Sequence, residues 1–203
     1  MKTKIFLIRS AECEGNIKNI LGESKNFAIT EHGKRTIDVL TEYFKNERIY
    51  RIYSSESTMC LETVEKLSVE LGLEIKKDKN LQEKFFGIYD GMTWEEIINN
   101  SQELKKFRKK KIEILGIPKQ ESTKQVEDRM LKVIENIAVE NLGQNILVVS
   151  HGVAIETFLR AVVGIPYSEE KDKYFQKNSA INIIVYDDEL EQFEVKEVAK
   201  IIY

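Results

Sequence analysis

Two prolines, two cysteines and two histidines are spread over 203 residues, and no long apolar run interrupts them. With so little proline, no repeats and no low-complexity stretch, nothing reads as a linker, and a single domain over residues 1–203 is expected. Cys13 and Cys60 are too few for a disulfide framework, and neither belongs to a metal-ligand spacing. The first apolar run, Ile5-Phe6-Leu7-Ile8, is far too short for the core of a signal peptide or for a membrane span. A cytosolic setting is the default that follows. Basic excess is missing as well: the formal net charge is -3, which argues against nucleic acid as a partner. Acidic residues flank the one lysine run, Lys109-Lys110-Lys111, which therefore reads as a solvated helix face.

What is present is ample apolar and charged material, 42% and 32% of residues. A chain of this length buries roughly 70% of the surface it exposes when unfolded. Ile5 to Ile8 is continuous, bulky and ended by polar residues, the pattern of a strand covered on both faces. Similar runs span Ile49 to Tyr53, Asn145 to Ser150 and Ala180 to Tyr186, the last expected to pair with Phe193 to Val198. Helical spacing lies between them. Ile37, Leu40, Tyr43 and Phe44 follow Thr30, which is placed as an N-cap. Leu61, Val64, Leu67 and Leu71 repeat within 56–71, and Gly72 supplies a stop. Val126, Met130, Val133, Ile134 and Ile137 mark another helix, and Val153 to Val163 a further one before Gly164. Strands alternating with helices predict an α/β three-layer sandwich with a mostly parallel central sheet. The stretch Thr93 to Gln120 reads as a helical lid over the top of that sheet.

In a parallel sheet ligands sit at the carboxyl ends of the strands. Those ends carry Arg9-Ser10-Ala11-Glu12, Ser54-Ser55 and Ser150-His151-Gly152. Arg9 offers a rigid fork of donors suited to phosphate or carboxylate, and His151 can donate to an anion or pass a proton. The bland alternatives stay open: an ion pair of Arg9 with Glu12 or Glu83, a satisfied histidine at a strand end, and a salt bridge of Glu83 to a lysine. The start of the helix after Ser150 adds a third place where an anion could be held.

These motifs, in this order, resemble the histidine phosphatase superfamily of the phosphoglycerate-mutase type. Its Arg-His-Gly-Glu block corresponds to Arg9-Ser10-Ala11-Glu12, with Asn16 at its asparagine. Gly22 and Ile29-Thr30-Glu31-His32-Gly33 follow, then Tyr53-Ser54-Ser55 with Glu62-Thr63. Next come Leu81-Gln82-Glu83 with Gly87, Tyr89, Asp90 and Gly91, then Glu121-Ser122 with Arg129, and finally Val149-Ser150-His151-Gly152. The resemblance implies a phosphoglycerate mutase-like fold and a phosphoryl site held by two arginines and two histidines. Carried over, Arg9 is the first arginine, His151 the second histidine, Asn16 a phosphate contact and Glu83 the proton donor to the leaving group.

Two positions depart from that pattern. Ser10 stands where the nucleophilic histidine is expected, and Met59 where the second arginine is. His32 is expected at the start of a surface helix, where it cannot substitute. The implied reading is a catalytically impaired or inactive phosphatase homologue, a pseudoenzyme, that still binds a small phosphorylated or anionic ligand. Two others stand beside it: an active phosphomonoesterase or mutase with an altered nucleophile, Ser10 activated by His151, and an interaction protein with an empty site. Cys13 reads as an ordinary loop thiol and Cys60 as core. No cofactor or metal motif is found, and no protein partner can be named.

Overall fold

A computed structural model describes residues 1–22, 26–100, 118–166 and 172–203. Six strands form one sheet: β1 (Lys2–Arg9), β2 (Arg51–Ser54), β3 (Ile75–Lys77), β4 (Asn145–Ser150), β5 (Ile181–Asp187) and β6 (Gln192–Lys200). Their spatial order is β3-β2-β4-β1-β5-β6. The first four run parallel, β5 lies antiparallel to β1, and β6 antiparallel to β5. Helices α1 (Glu14–Ile17), α2 (Glu31–Phe44), α3 (Thr58–Leu71), α4 (Trp94–Asn100), α5 (Thr123–Glu140) and α6 (Gly152–Val162) complete the longer elements among the described residues.

Alternation along the central strands builds two cores, one on each face. Ile5, Leu7, Ile146 and Val148 point toward α5 and α6, against Met130, Ile134, Ile155 and Phe158. Phe6, Ile8, Leu147 and Val149 point the other way, toward α2 and α3, against Leu40, Phe44, Val64 and Leu67. A strand covered on both sides needs both of its faces apolar, which is why β1 and β4 read as unbroken hydrophobic runs rather than alternating ones. Each large side chain buried this way contributes about 1.5–3 kcal/mol. The result is a three-layer α/β sandwich around a mixed, mostly parallel sheet, the phosphoglycerate mutase-like arrangement.

Local signals place most of the ends. Thr30 caps α2, its Oγ1 accepting from Gly33 N–H at 2.9 Å. Gly72 closes α3 in the left-handed conformation at φ 63°. Some boundaries move from the sequence expectation. The second strand begins at Arg51, not Ile49, and α3 at Thr58, not residue 56, with Ser57 as its N-cap. The last helix runs Gly152–Val162. Strand β3 was not foreseen, because its three residues hold one half-buried side chain, Ile75, and two exposed lysines that guard a sheet edge. Of the stretch expected as a lid, α4 is described, while 101–117 lies outside the described residues. No helix among the described residues is long and apolar enough to cross a membrane.

Candidate active site

At the carboxyl ends of β1 and β4, Arg9 stands in register with Ser150, so the two chemistry-bearing motifs are neighbours by strand pairing. Arg9 lies over the start of α6: a Cβ added to Gly152 would come within 3.4 Å of its Cζ. Its Nη1 donates to the Gln176 carbonyl. Burial pushes the Arg9 guanidinium down from its ordinary value, opposed chiefly by the nearby Glu83 carboxylate and less by Cys13, Tyr203 and Cys60. Neither ion pair considered from the sequence forms, since among the described residues no carboxylate oxygen lies within 4.0 Å of Arg9. Glu12 instead accepts from Thr30 Oγ1 at 2.7 Å.

Glu83 departs furthest from expectation. Its carboxylate takes no lysine; it sits on the first turn of α6, accepting from Val153 N–H at 3.1 Å, Ala154 N–H at 2.9 Å and Lys84 N–H at 2.8 Å. The helix start assigned above to an incoming anion is therefore already satisfied by an internal one. The loop bearing Glu83 is pinned from behind. Arg129 grips Glu121 with two nitrogens, at 2.6 and 2.9 Å, and donates to the carbonyls of Asn80, Gln82 and Glu83. Ser150 Oγ donates to the Leu81 carbonyl at 2.7 Å.

Asn16 is held in place by its neighbours. Its Oδ1 accepts from Cys13 N–H at 3.0 Å and from Asn178 Nδ2 at 2.9 Å. Asn178 was missed by sequence reasoning, yet its amide also donates to the Ser10 carbonyl at 3.2 Å and so joins the β5 side of the molecule to the first motif. No motif or spacing singles it out. Thr63 does a similar job from α3, accepting from Ala11 N–H at 2.9 Å.

Toward α3 the surroundings are of another kind. Ser10 is buried, and its hydroxyl has no hydrogen-bond partner among the described residues. Met59 is 7% exposed and packs among Ala11, Cys13 and Cys60, as part of the core. His151 turns toward α3: its Nε2 lies 3.0 Å from Ser55 Oγ, 3.4 Å from Ser57 Oγ and 3.4 Å from Cys60 Sγ. The hydroxyl nearest to the histidine is thus that of Ser55 and not Ser10. His32 is exposed on α2, edge-on to Tyr203, as expected of a surface position.

A crevice of about 410 Å³ opens beside Arg9, lined by Arg9, Asn16, Glu83, Trp94, Gln176 and Asn178 among others, while Ser10, Met59 and His151 are buried off its lining. Its lining combines one guanidinium, several amides and an aromatic ring with the carboxylates of Glu83 and Glu156. Gly22 helps shape its rim: at φ 73° it faces Asp90, whose Oδ1 leaves no room for a Cβ.

The sequence profile of the histidine phosphatase superfamily (branch 1) matches residues 5–198. The chain belongs to that superfamily. Among curated relatives it is 26% identical, over 171 residues, to a probable phosphoglycerate mutase GpmB of Photorhabdus laumondii, covering 83% of this chain and 78% of that protein. Bacillus stearothermophilus YhfR superposes with a TM-score of 0.90 at 22% identity over 98% of both chains. A phosphoserine phosphatase from Entamoeba histolytica, solved with 3-phosphoglyceric acid, gives 0.80 at 22% identity, again over 98% of each. At such identity these two structures speak for the fold alone.

Proposed function

We propose that this member of the superfamily is catalytically impaired and that its crevice still takes a small phosphorylated or anionic ligand. The observation that carries the reading is the set of side chains on the α3 side of the strand ends. Met59 buries an apolar side chain where the superfamily pattern has an arginine, and the hydroxyl of Ser10 is paired with no base. Losing a nucleophile costs up to about a millionfold in turnover, and losing one preorganised donor on the order of a hundred- to a thousandfold. The two losses do not add, because both act on the same phosphoryl group. Arg9 and Asn16 remain on the crevice to bind the anion, with Asn178 behind Asn16. In this reading Glu83 is retained as the proton donor's position and the stretch 93–120 sets ligand choice.

A second reading, an active phosphomonoesterase with another nucleophile, is favoured by one contact: Ser55 Oγ at 3.0 Å from His151 Nε2. A serine beside a histidine can be activated for attack. Hydrolysis of a panel of phosphate monoesters by the purified chain, with phosphoserine and 3-phosphoglycerate included and His151→Ala as control, separates the two. Turnover no greater than that of the control, with measurable binding of inorganic phosphate or vanadate that Arg9→Ala abolishes, is the expected result. Activity that disappears in the control and in Ser55→Ala would establish the second reading and overturn the first. Absence of both turnover and anion binding would leave the crevice empty and overturn both.

A further inference from the structure

Arg9 is the single cationic side chain on the lining of the crevice. Its Nη1 donates to the Gln176 carbonyl, but its Nε and Nη2 make no hydrogen bond among the described residues. Those two nitrogens carry parallel N–H bonds, the fork that fits two oxygens of one phosphoryl group. No second cation stands on the lining, which carries the carboxylates of Glu83 and Glu156 instead. Both are fixed, Glu83 by the N–H groups of Val153 and Ala154, and Glu156 by Arg160 Nε at 3.0 Å. Neither can turn aside for an incoming acid. A ligand with one anionic group finds its partner here, whereas a second acid close to the first would be set against like charge.

The same lining carries Ile20, Leu21, Trp94 and Phe175. The backbone holds the first three. Ile20 pairs with Thr93 in an isolated bridge, Leu21 N–H donates to the Met92 carbonyl at 2.9 Å, and Trp94 N–H to the Asn19 carbonyl at 3.0 Å. Phe175 is 56% exposed, although both of its chain neighbours, Tyr174 and Gln176, are buried. Gln176 is anchored in turn, its Oε1 accepting from Asn182 Nδ2 at 2.8 Å. The ring is therefore presented from a fixed backbone. Apolar and aromatic side chains around one charged anchor suit a ligand with an apolar body and a single polar head. We propose that the crevice takes a phosphate monoester of an aryl alcohol with no second acidic group. Its phosphoryl oxygens lie on Arg9 Nε and Nη2, and its ring lies against Trp94 and Phe175. This assignment rests on the reading that the crevice binds an anion, and narrows that reading to one class of ligand.

Phosphonates, whose C–P bond resists hydrolysis, report binding apart from turnover. Calorimetric titration of the full chain with phenylphosphonate, methylphosphonate and 3-phosphonopropionate compares a ring, no ring and a second acid. Phenylphosphonate is expected to bind on the order of tenfold tighter than methylphosphonate, and 3-phosphonopropionate more weakly than either. Trp94 is the one tryptophan of the sequence, so its emission should change as phenylphosphonate is added. In Phe175→Ala, a change at an exposed position, the preference for phenyl over methyl should fall by roughly threefold or more. Equal affinities for phenyl- and methylphosphonate, or tightest binding of 3-phosphonopropionate, would overturn the aryl assignment while anion binding itself stood. So would an unchanged preference in Phe175→Ala, or a Trp94 emission indifferent to phenylphosphonate. Binding of none of the three would instead strike the anion-binding reading, and the aryl assignment would fall with it.

Discussion

The two sides of the strand ends, toward α6 and toward α3, differ in what holds them. On the α6 side the polar groups at the helix start are tied down: Glu83 takes three backbone N–H groups, Arg129 pins the loop behind it, and Arg9 donates to Gln176. On the α3 side Met59 is apolar and buried, the Ser10 hydroxyl is unbonded among the described residues, and His151 leans on two serines and a thiol. The difference teaches that retained residues need not mark a retained reaction. Arg9, Glu83 and Arg129 are woven into backbone contacts that the fold needs whether or not anything is hydrolysed. The Ser10 side chain makes no such contact and Met59 serves the core through apolar packing alone, so under the reading proposed above the chemistry lapsed there.

The largest effect should come from rebuilding the α3 side. Ser10→His combined with Met59→Arg is expected to hydrolyse phosphate monoesters on the order of a hundred- to a thousandfold faster than Ser10→His alone, the worth of one preorganised donor. Initial rates of the two variants measure it, and equal rates would erase the proposed importance of Met59. Damage to the α6 side should show in stability instead. Arg160 and Glu156 form a buried pair on α6, Nε to Oε1 at 3.0 Å, with Glu156 lining the crevice. Arg160→Met, which leaves the carboxylate buried without its arginine, is expected to cost about 3–5 kcal/mol in urea unfolding. The smallest effect compares two caps. Ser122 accepts from Gln125 N–H at 3.2 Å in a capping box on α5, so Ser122→Ala should cost about 1 kcal/mol. Ser57, the N-cap of α3, makes no capping bond with its side chain and faces His151 instead, so Ser57→Ala should cost less than that. A larger loss at Ser57 would mean that its contact with His151 is itself structural.

Much of the fold was legible because covered strands and amphipathic helices write their burial into apolar spacing. β4 was read at Asn145–Ser150 to the residue, and the caps at Thr30 and Gly72 lie where a hydroxyl and a glycine are needed. β3 was not legible, since an edge strand with one half-buried residue has almost no pattern to show. At the site, residue types and strand ends pointed to Arg9 and His151, and the family resemblance to Asn16 and Glu83, but the partner of each was out of reach. Asn178 reaches Asn16 across 162 positions of sequence, and Glu83 reaches Ala154 across 71. No local rule encodes such distant pairings.

By itself, then, the sequence determined the layers of the sandwich and the membership of the superfamily, and it put Ser10 and Met59 where the resemblance implies a histidine and an arginine, all of which depends on residue type and order along the chain. Only the tertiary structure decided that Glu83 fills the first turn of α6 and that His151 faces Ser55, Ser57 and Cys60. The reason is physical: a buried polar group takes whichever donor or acceptor the packing of distant elements brings within about 3 Å, and that neighbour is set by the closure of the sheet and its helices rather than by anything adjacent in the chain.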